Sequence, residues 1–119
     1  MKENIIRNKS FRFALKVVAL NVYLSGKREF VLSKQLLRSG TSVGAMVREA
    51  EQAESKPDFI HKLSIAQKEA NETDYWLDVL FHSNYIDDTQ YKELHRDLSE
   101  IKKIIASIIV TMKQKIGKL

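Results

Sequence analysis

The sequence predicts an all-α protein that folds as an antiparallel, up-down-up-down four-helix bundle. One proline and four glycines in 119 residues leave little material for turns, and no run alternates β-branched with polar residues as a half-buried strand does. Apolar residues recur instead every three or four positions along four segments, which is the spacing of a buried helix face. Short links between those segments favour antiparallel neighbours. The length fits a single domain over residues 1–119.

The first helix is predicted from its end signals and its apolar spacing. Ser10 is a good N-cap residue, and Gly26 is a good stop signal, so the helix is expected between them. Its predicted buried face consists of four apolar residues spaced four, three and four apart: Phe11, Leu15, Val18 and Val22.

The second helix is expected to begin near Glu29 or Ser33 and to run to about Glu54. Its predicted buried face is Leu36, Gly40, Val43, Val47 and Ala50. Residues 39–50 are mostly small, so this part of the helix lacks the bulk that normally sets helix spacing. We therefore expect it to lie close against large residues of the third helix, such as Phe59, Leu63 and Trp76.

The third and fourth helices have clear start signals. Residues 55–58 (SKPD) combine a capping serine, a proline in the first turn and a capping-box acid, and that helix should end near residues 83–84. The fourth helix should open at residues 87–88 (DD) and close at Gly117. The predicted buried faces are Phe59, Leu63, Ala66, Ala70, Thr73, Leu77 and Leu80 for the third helix, and Tyr91, Leu94, Leu98, Ile101, Ile105, Ile108 and Met112 for the fourth.

More apolar residues are present than one bundle seam requires. Six of them fall outside the predicted buried faces: Ile60, Ile65, Trp76, Ile104, Ile109 and Val110. They indicate either a wide apolar stripe, which is common in globular bundles, or an interface between subunits. The pattern leaves both interpretations open.

The composition gives no indication of catalysis, metal binding or a cofactor. No glutamate has a histidine three residues later, so the di-iron site of some four-helix bundles is not expected. There is no cysteine, no Gly-x-Ser-x-Gly nucleophile motif and no glycine-rich phosphate loop. Without cysteine, a signal peptide or a long apolar run, a cytoplasmic protein with no membrane partner is expected.

Three glutamates, Glu49, Glu69 and Glu72, lie on segments whose other residues are small or apolar. If they point inward they need partners, because a buried unpaired charge is costly. The available partners are Arg38 and the hydroxyl groups of Ser39, Thr41, Ser42 and Thr73. The sequence thus suggests a polar cluster between the second and third helices, with solvent-facing acids as the alternative.

Positive charge is concentrated in the N-terminal third. Residues 1–38 contain nine Lys or Arg and two acidic residues, whereas residues 39–87 are net acidic and residues 88–119 are net basic. Such a surface attracts phosphate backbones without reading their sequence, although a solvated helix face has the same composition. The predicted nucleic-acid-binding residues are Arg7, Lys9, Arg12, Lys16, Lys27, Arg28, Lys34 and Arg38.

An ordered set of motifs resembles one known family. The motifs are residues 36–45 (LLRSGTSVGA), 49–50 (EA), 55–59 (SKPDF), 63–66 (LSIA) and 69–77 (EANETDYWL). They resemble the four helix bundle proteins, also called 23S rRNA intervening-sequence proteins or the S23 family. The residues that carry the resemblance are Ser39, Gly40, Ser42, Gly44, Glu49, Phe59, Glu69, Glu72, Thr73 and Trp76.

The resemblance implies a four-helix bundle that assembles as a ring, often a homopentamer, with a basic surface toward RNA or DNA and no enzymatic activity. A related protein, the accessory variability determinant of diversity-generating retroelements, has a reverse-transcriptase partner. The resemblance therefore leaves two functions open: a nucleic-acid-binding oligomer, or a scaffold that docks an enzyme such as a reverse transcriptase. This chain has Met46 where the family usually has asparagine, so a polar side chain is missing from the second helix.

Overall fold

Four helices joined by short turns make up residues 4–117, the part of the chain that the structure, a computed structural model, describes. They are α1 (Ile5–Gly26), α2 (Val31–Ala50), α3 (Lys56–His82) and α4 (Asp88–Gly117). Each helix packs against the next one in sequence, and α1 returns to pack against α4. The predicted all-α, antiparallel up-down-up-down bundle is confirmed, with dimensions of 53 × 26 × 21 Å.

α1 begins six residues earlier than predicted because Asn4, and not Ser10, caps it. The Asn4 side chain accepts a hydrogen bond from the backbone N–H of Arg7 at 3.1 Å. Ser10 lies inside the helix, where it is buried and donates its hydroxyl proton to the Arg7 carbonyl. The start of α3 is as predicted, since Ser55 Oγ accepts the N–H of Asp58 at 3.1 Å.

The start of α2 depends on Glu29, which the sequence suggested only as a possible first residue. Its carboxylate accepts hydrogen bonds from the backbone N–H groups of Val31, Leu32 and Ser33, at 3.2, 2.9 and 2.7 Å. These are the free N–H groups that every helix leaves at its N-terminus. The side chain is buried in doing so, with 8% of the residue exposed.

The prediction of the buried face of α1 is wrong. Phe11, Leu15, Val18 and Val22 are all exposed, by 43–66%. The core is formed instead by Ile6, Phe13, Val17, Leu20 and Leu24. Residues two positions apart point about 200° apart on a helix, so these two sets occupy opposite faces. Both sets have helical spacing, and only contacts with the other helices select between them.

The buried faces of α2, α3 and α4 follow the predicted spacing. The predicted residues of α2 are all buried, and those of α3 and α4 are buried except for half-buried residues near the helix ends. The half-buried ones are Phe59, Tyr91, Ile108 and Met112. Of the six surplus apolar residues, Ile109 is buried, Val110 is exposed, and the remaining four are half-buried. Most of the surplus apolar residues on α3 and α4 therefore belong to a broad, partly buried face of these two helices.

The two glycines of α2 allow close approach by α1, a contact that the sequence did not predict, and α2 also packs against α3. A Cβ atom at Gly40 would lie 2.8 and 2.9 Å from the two methyl carbons of Val17. A Cβ atom at Gly44 would lie 3.2 Å from the backbone oxygen of Ser10. Real Cβ atoms are almost never found as close to another atom as the two Gly40 distances, so the absence of a side chain at Gly40 sets the separation of α1 and α2.

Candidate functional site

The predicted polar cluster between α2 and α3 is present and is centred on Arg38. The guanidinium group donates hydrogen bonds to Glu69, at 3.0 Å, and to Glu72. Trp76 Nε1 also donates to Glu72 at 3.0 Å. The bonds from Trp76 and Arg38 hold the pKa of Glu72 below its usual range, and the same bond to Glu72 raises the pKa of Arg38. This arrangement ties the two helices together and stabilises the charged forms of Arg38 and Glu72.

The hydroxyl groups near this cluster have different roles. Thr73 donates to the Ser39 hydroxyl at 2.9 Å inside the core. Thr41 and Ser42 donate to carbonyl groups of their own helix, at 2.7 and 2.6 Å, and so do not join the cluster. Glu49 is also separate from it, since its carboxylate lies 3.7 Å from the Lys62 ammonium group.

Met46, where the resemblance predicts a departure from the family pattern, is half-buried and packs against the hydrophobic core. An apolar side chain at this position extends the contact of α2 with the core. The position therefore contributes packing in this chain and no hydrogen bond.

Four of the eight predicted nucleic-acid-binding cations are paired with carboxylates of the same chain. Lys9 lies 2.7 Å from Glu100, and Lys16 lies 3.0 and 2.6 Å from Glu93 and Asp97, all on α4. The hydrogen bonds to Asp97 and Glu93 raise the pKa of Lys16. Arg7 lies 3.0 Å from Glu51, and Arg38 bonds to Glu69 and Glu72 as described. A phosphate group has to compete with these carboxylates, so this part of the predicted basic surface is weakened.

The other four cations are exposed and form no ion pair within residues 4–117: Arg12, Lys27, Arg28 and Lys34. Three of them cluster at the turn between α1 and α2 and in the first turn of α2. Lys27 makes a cation–π contact with Tyr23, since its ammonium group lies 4.8 Å from the centre of that ring. Three of the four unpaired members of the predicted set therefore lie at one end of the bundle.

The exposed face of α1 forms a second surface, the apolar stripe, defined as Phe11, Leu15, Val18 and Val22. The stripe faces away from the core and runs for about 17 Å at 1.5 Å per residue. The guanidinium group of Arg48, on α2, lies 5.1 Å from the Phe11 ring at one edge of it. Sequence spacing found these four residues but placed them in the wrong environment.

A third cluster joins α3 to α4 and was not predicted. Asp74 contacts His95 Nδ1 at 2.9 Å and Lys102 Nζ at 2.7 Å. Tyr91 donates its phenolic proton to Asp78 at 2.5 Å, and its ring stacks on His95. The bond to Asp78, together with burial, raises the pKa of Tyr91 to about 12. Burial opposes ionisation of Asp74, but the hydrogen bonds from Lys102 and His95 outweigh it and hold its pKa below the usual range.

These side chains cross-link the helices, and their arrangement is not that of a metal centre. In the described part of the chain, no group of three or more His, Cys, Asp or Glu side chains is placed to hold a metal ion. None of the four helices, over the residues described, is long and apolar enough to cross a membrane.

Comparison with known proteins gives one family. The sequence profile of the 23S rRNA-intervening sequence protein family matches residues 2–107. A crystal structure at 1.70 Å of a protein with unknown function from the S23 ribosomal protein family of Bacteroides thetaiotaomicron VPI-5482 is similar, with a TM-score of 0.86 and 53% sequence identity. The alignment covers 87% of this chain and 97% of that one. No curated protein matches.

Proposed function

We propose, because this chain belongs to the 23S rRNA-intervening sequence protein family, that it acts without catalysis as a homo-oligomer that binds nucleic acid. The observation that carries the proposal is the apolar stripe of α1. Four large side chains in one line are exposed on the face opposite the core, and soluble proteins rarely leave such a row uncovered unless it binds something.

A second copy of the chain is the partner that we propose for the stripe. A ring, with a homopentamer as the expected size, places the same face of each subunit against a different face of its neighbour. Burial of these four side chains is worth about 25 cal/mol for each Å² of apolar surface removed from water. The cost of association consumes part of this gain, so the contact must extend to neighbouring residues of α1 and α2.

Nucleic acid is the proposed ligand of the assembly because unpaired cations remain on the surface after the internal ion pairs are formed. Arg12, Lys27, Arg28 and Lys34 are exposed and have no carboxylate partner in the range 4–117. A ring repeats this set in every subunit, which multiplies the number of phosphate groups that one assembly contacts. The family description, which refers to an rRNA intervening sequence, is consistent with this ligand.

A scaffold that docks an enzyme, such as a reverse transcriptase, is the second candidate, because the apolar stripe also fits a different protein. An apolar face covered by a different protein would explain the exposure of Phe11, Leu15, Val18 and Val22 as well. The two candidates differ in what the purified chain does alone, since only a homo-oligomer covers the stripe without another protein.

The first prediction concerns assembly. Leu15→Glu places a charge in the middle of the stripe, and burying it in an interface is costly, so the mass measured by light scattering should fall from an oligomer to the 13.8 kDa monomer. Val110→Glu is the matched control, because Val110 on α4 is as exposed as Leu15, at 54%. A monomeric wild-type protein, or a variant that assembles like the wild type, contradicts self-association through the stripe.

The second prediction concerns the ligand. Wild-type protein should bind RNA at low salt, and the binding constant should fall steeply as salt increases, because cations displace counterions from phosphate groups. Fluorescence anisotropy over a salt series measures both quantities. If wild-type protein shows no RNA or DNA binding at low salt, the nucleic-acid function is wrong. A protein partner that survives nuclease treatment would then support the scaffold.

A further inference from the structure

The turn between α1 and α2 has a sequence, residues 27–30 (KREF), in which an acid stands among cations. In the structure that acid does not face solvent. Glu29 is buried, and its two carboxylate oxygens accept hydrogen bonds from three backbone N–H groups at the start of α2. Its charge is therefore directed at the helix N-terminus. The outer surface of the turn presents Lys27, Arg28 and Phe30 without a neutralising carboxylate of its own.

Arg28 occupies a backbone conformation that favours glycine. Its φ angle is 61°, in the left-handed region, whereas the nearby Gly26 has an ordinary helical backbone. The conformation lets the Glu29 N–H reach the Leu24 carbonyl at 2.9 Å, which closes the end of α1. A non-glycine residue here costs about 1 kcal/mol or more. Glycine would remove that cost, whereas arginine places an exposed guanidinium group on the outer surface of the turn.

An exposed aromatic ring accompanies these cations. Phe30 is 59% exposed and directly precedes the first residue of α2. Lys34 follows it by one helical turn and lies on the same face of α2. Aromatic rings beside cations form the usual site for single-stranded nucleic acid, in which a base stacks on the ring and the cations contact the backbone.

Acidic residues of the neighbouring turn at this end of the bundle are already engaged. Asp87 accepts the N–H of Gln90 at 2.8 Å, and Asp88 lies 2.9 Å from Lys92. Their charges are thus partly compensated within the segment between α3 and α4. The α1–α2 turn retains an excess of positive charge on its outer face.

We propose that the α1–α2 turn is a binding site for single-stranded nucleic acid, in which a base stacks on Phe30 while Lys27, Arg28 and Lys34 contact phosphate groups. The proposal rests on the proposed function and assigns it a location and a ligand class. Stacking on a phenylalanine ring tolerates any base, so the site binds without reading sequence.

The test measures binding of a fluorescently labelled oligouridylate, an oligothymidylate and an RNA duplex by anisotropy over a salt series. Phe30→Ala should weaken binding of both single strands about fivefold or more, the loss associated with one stacked base. It should leave the salt dependence unchanged, because no charge is removed. Phe30→Trp should bind both single strands at least as tightly as the wild type, since tryptophan provides a larger stacking surface. Val31→Ala is the control, because Val31 is adjacent, 73% exposed and not aromatic.

Arg28→Gly separates binding from folding. It should reduce the slope of log affinity against log salt by about 0.7, the contribution of one phosphate contact on a single strand. Its melting temperature should rise, since glycine adopts the left-handed conformation without strain. A purely structural role for Arg28 cannot give a more stable protein that binds RNA less well.

Three outcomes decide between the proposals. If wild-type protein binds single strands and both variants bind like it, the assignment to this turn is wrong and the nucleic-acid function stands. If the duplex binds as tightly as the single strands and Phe30→Ala changes nothing, stacking is wrong. If the wild-type protein binds none of the three probes, the proposed function fails together with the site. Light scattering on each variant verifies that assembly is unchanged.

Discussion

Gly40→Leu is expected to destabilise the bundle by at least about 3 kcal/mol, which is a large share of the stability of a domain of this size. The added Cβ alone would lie 2.8 Å from a methyl carbon of Val17, and Val17 is fully buried. A longer side chain must therefore push α1 away from α2 or displace core residues. Chemical denaturation measures the loss as a lower unfolding midpoint.

Gly40→Ala distinguishes this contact from a general effect of glycine. Alanine favours a helix by about 1 kcal/mol over glycine, but the clash with Val17 costs about 1–3 kcal/mol, so the variant should be less stable than the wild type. Gly26→Ala is the control, since a Cβ there meets nothing within 4 Å. In the double variant Gly40→Ala/Val17→Ala, the two losses should be less than additive. Equal stability of Gly40→Ala and Gly26→Ala would contradict the close contact.

Glu29→Ala is expected to cost about 2–3 kcal/mol, because a single carboxylate satisfies three backbone N–H groups at the start of α2. Removal leaves these donors partly buried and without their partner. It also removes a negative charge from the positive end of the helix dipole. Thermal or chemical unfolding measures the change.

Two further variants test whether the loss of stability in Glu29→Ala comes from the missing cap. Glu29→Gln keeps one acceptor oxygen and loses the charge, so its stability should lie between those of the wild type and Glu29→Ala. Glu54→Ala removes an exposed acid in the loop before α3 and should leave the stability nearly unchanged. If Glu29→Ala is as stable as Glu54→Ala, the buried cap does not contribute to stability.

Much of the fold follows from short-range pattern. Residues three and four apart share a helix face, so the spacing of Leu36, Val43 and Val47 identifies the buried side of α2 without knowledge of its neighbours. Ser55 identifies the start of α3 for the same reason, since its partner lies three residues away. The Arg38 cluster was also predicted, because few other partners were available to acids on an apolar segment.

The candidate site is predicted less well because its properties depend on distant residues. Lys9 and Lys16 belong to a basic segment in sequence, yet acids on α4, more than seventy residues away, pair with them in the fold. In the sequence, Glu29 is an acidic residue that reduces the positive charge of the α1–α2 turn. In the structure it is buried and bonded to the backbone of α2. The location of unpaired charge is therefore a property of the assembled bundle.

The sequence by itself determined the number of helices, their approximate limits and the inner faces of three of them, because these depend on near neighbours along the chain. Tertiary structure decided which of two apolar faces of α1 enters the core, since both have helical spacing and only contact with Gly40 and the other helices distinguishes them. It also decided that the two glycines of α2 lie against α1, and that free cations remain at the α1–α2 turn. Each of these outcomes depends on residues far apart in sequence, whose contacts local periodicity does not encode.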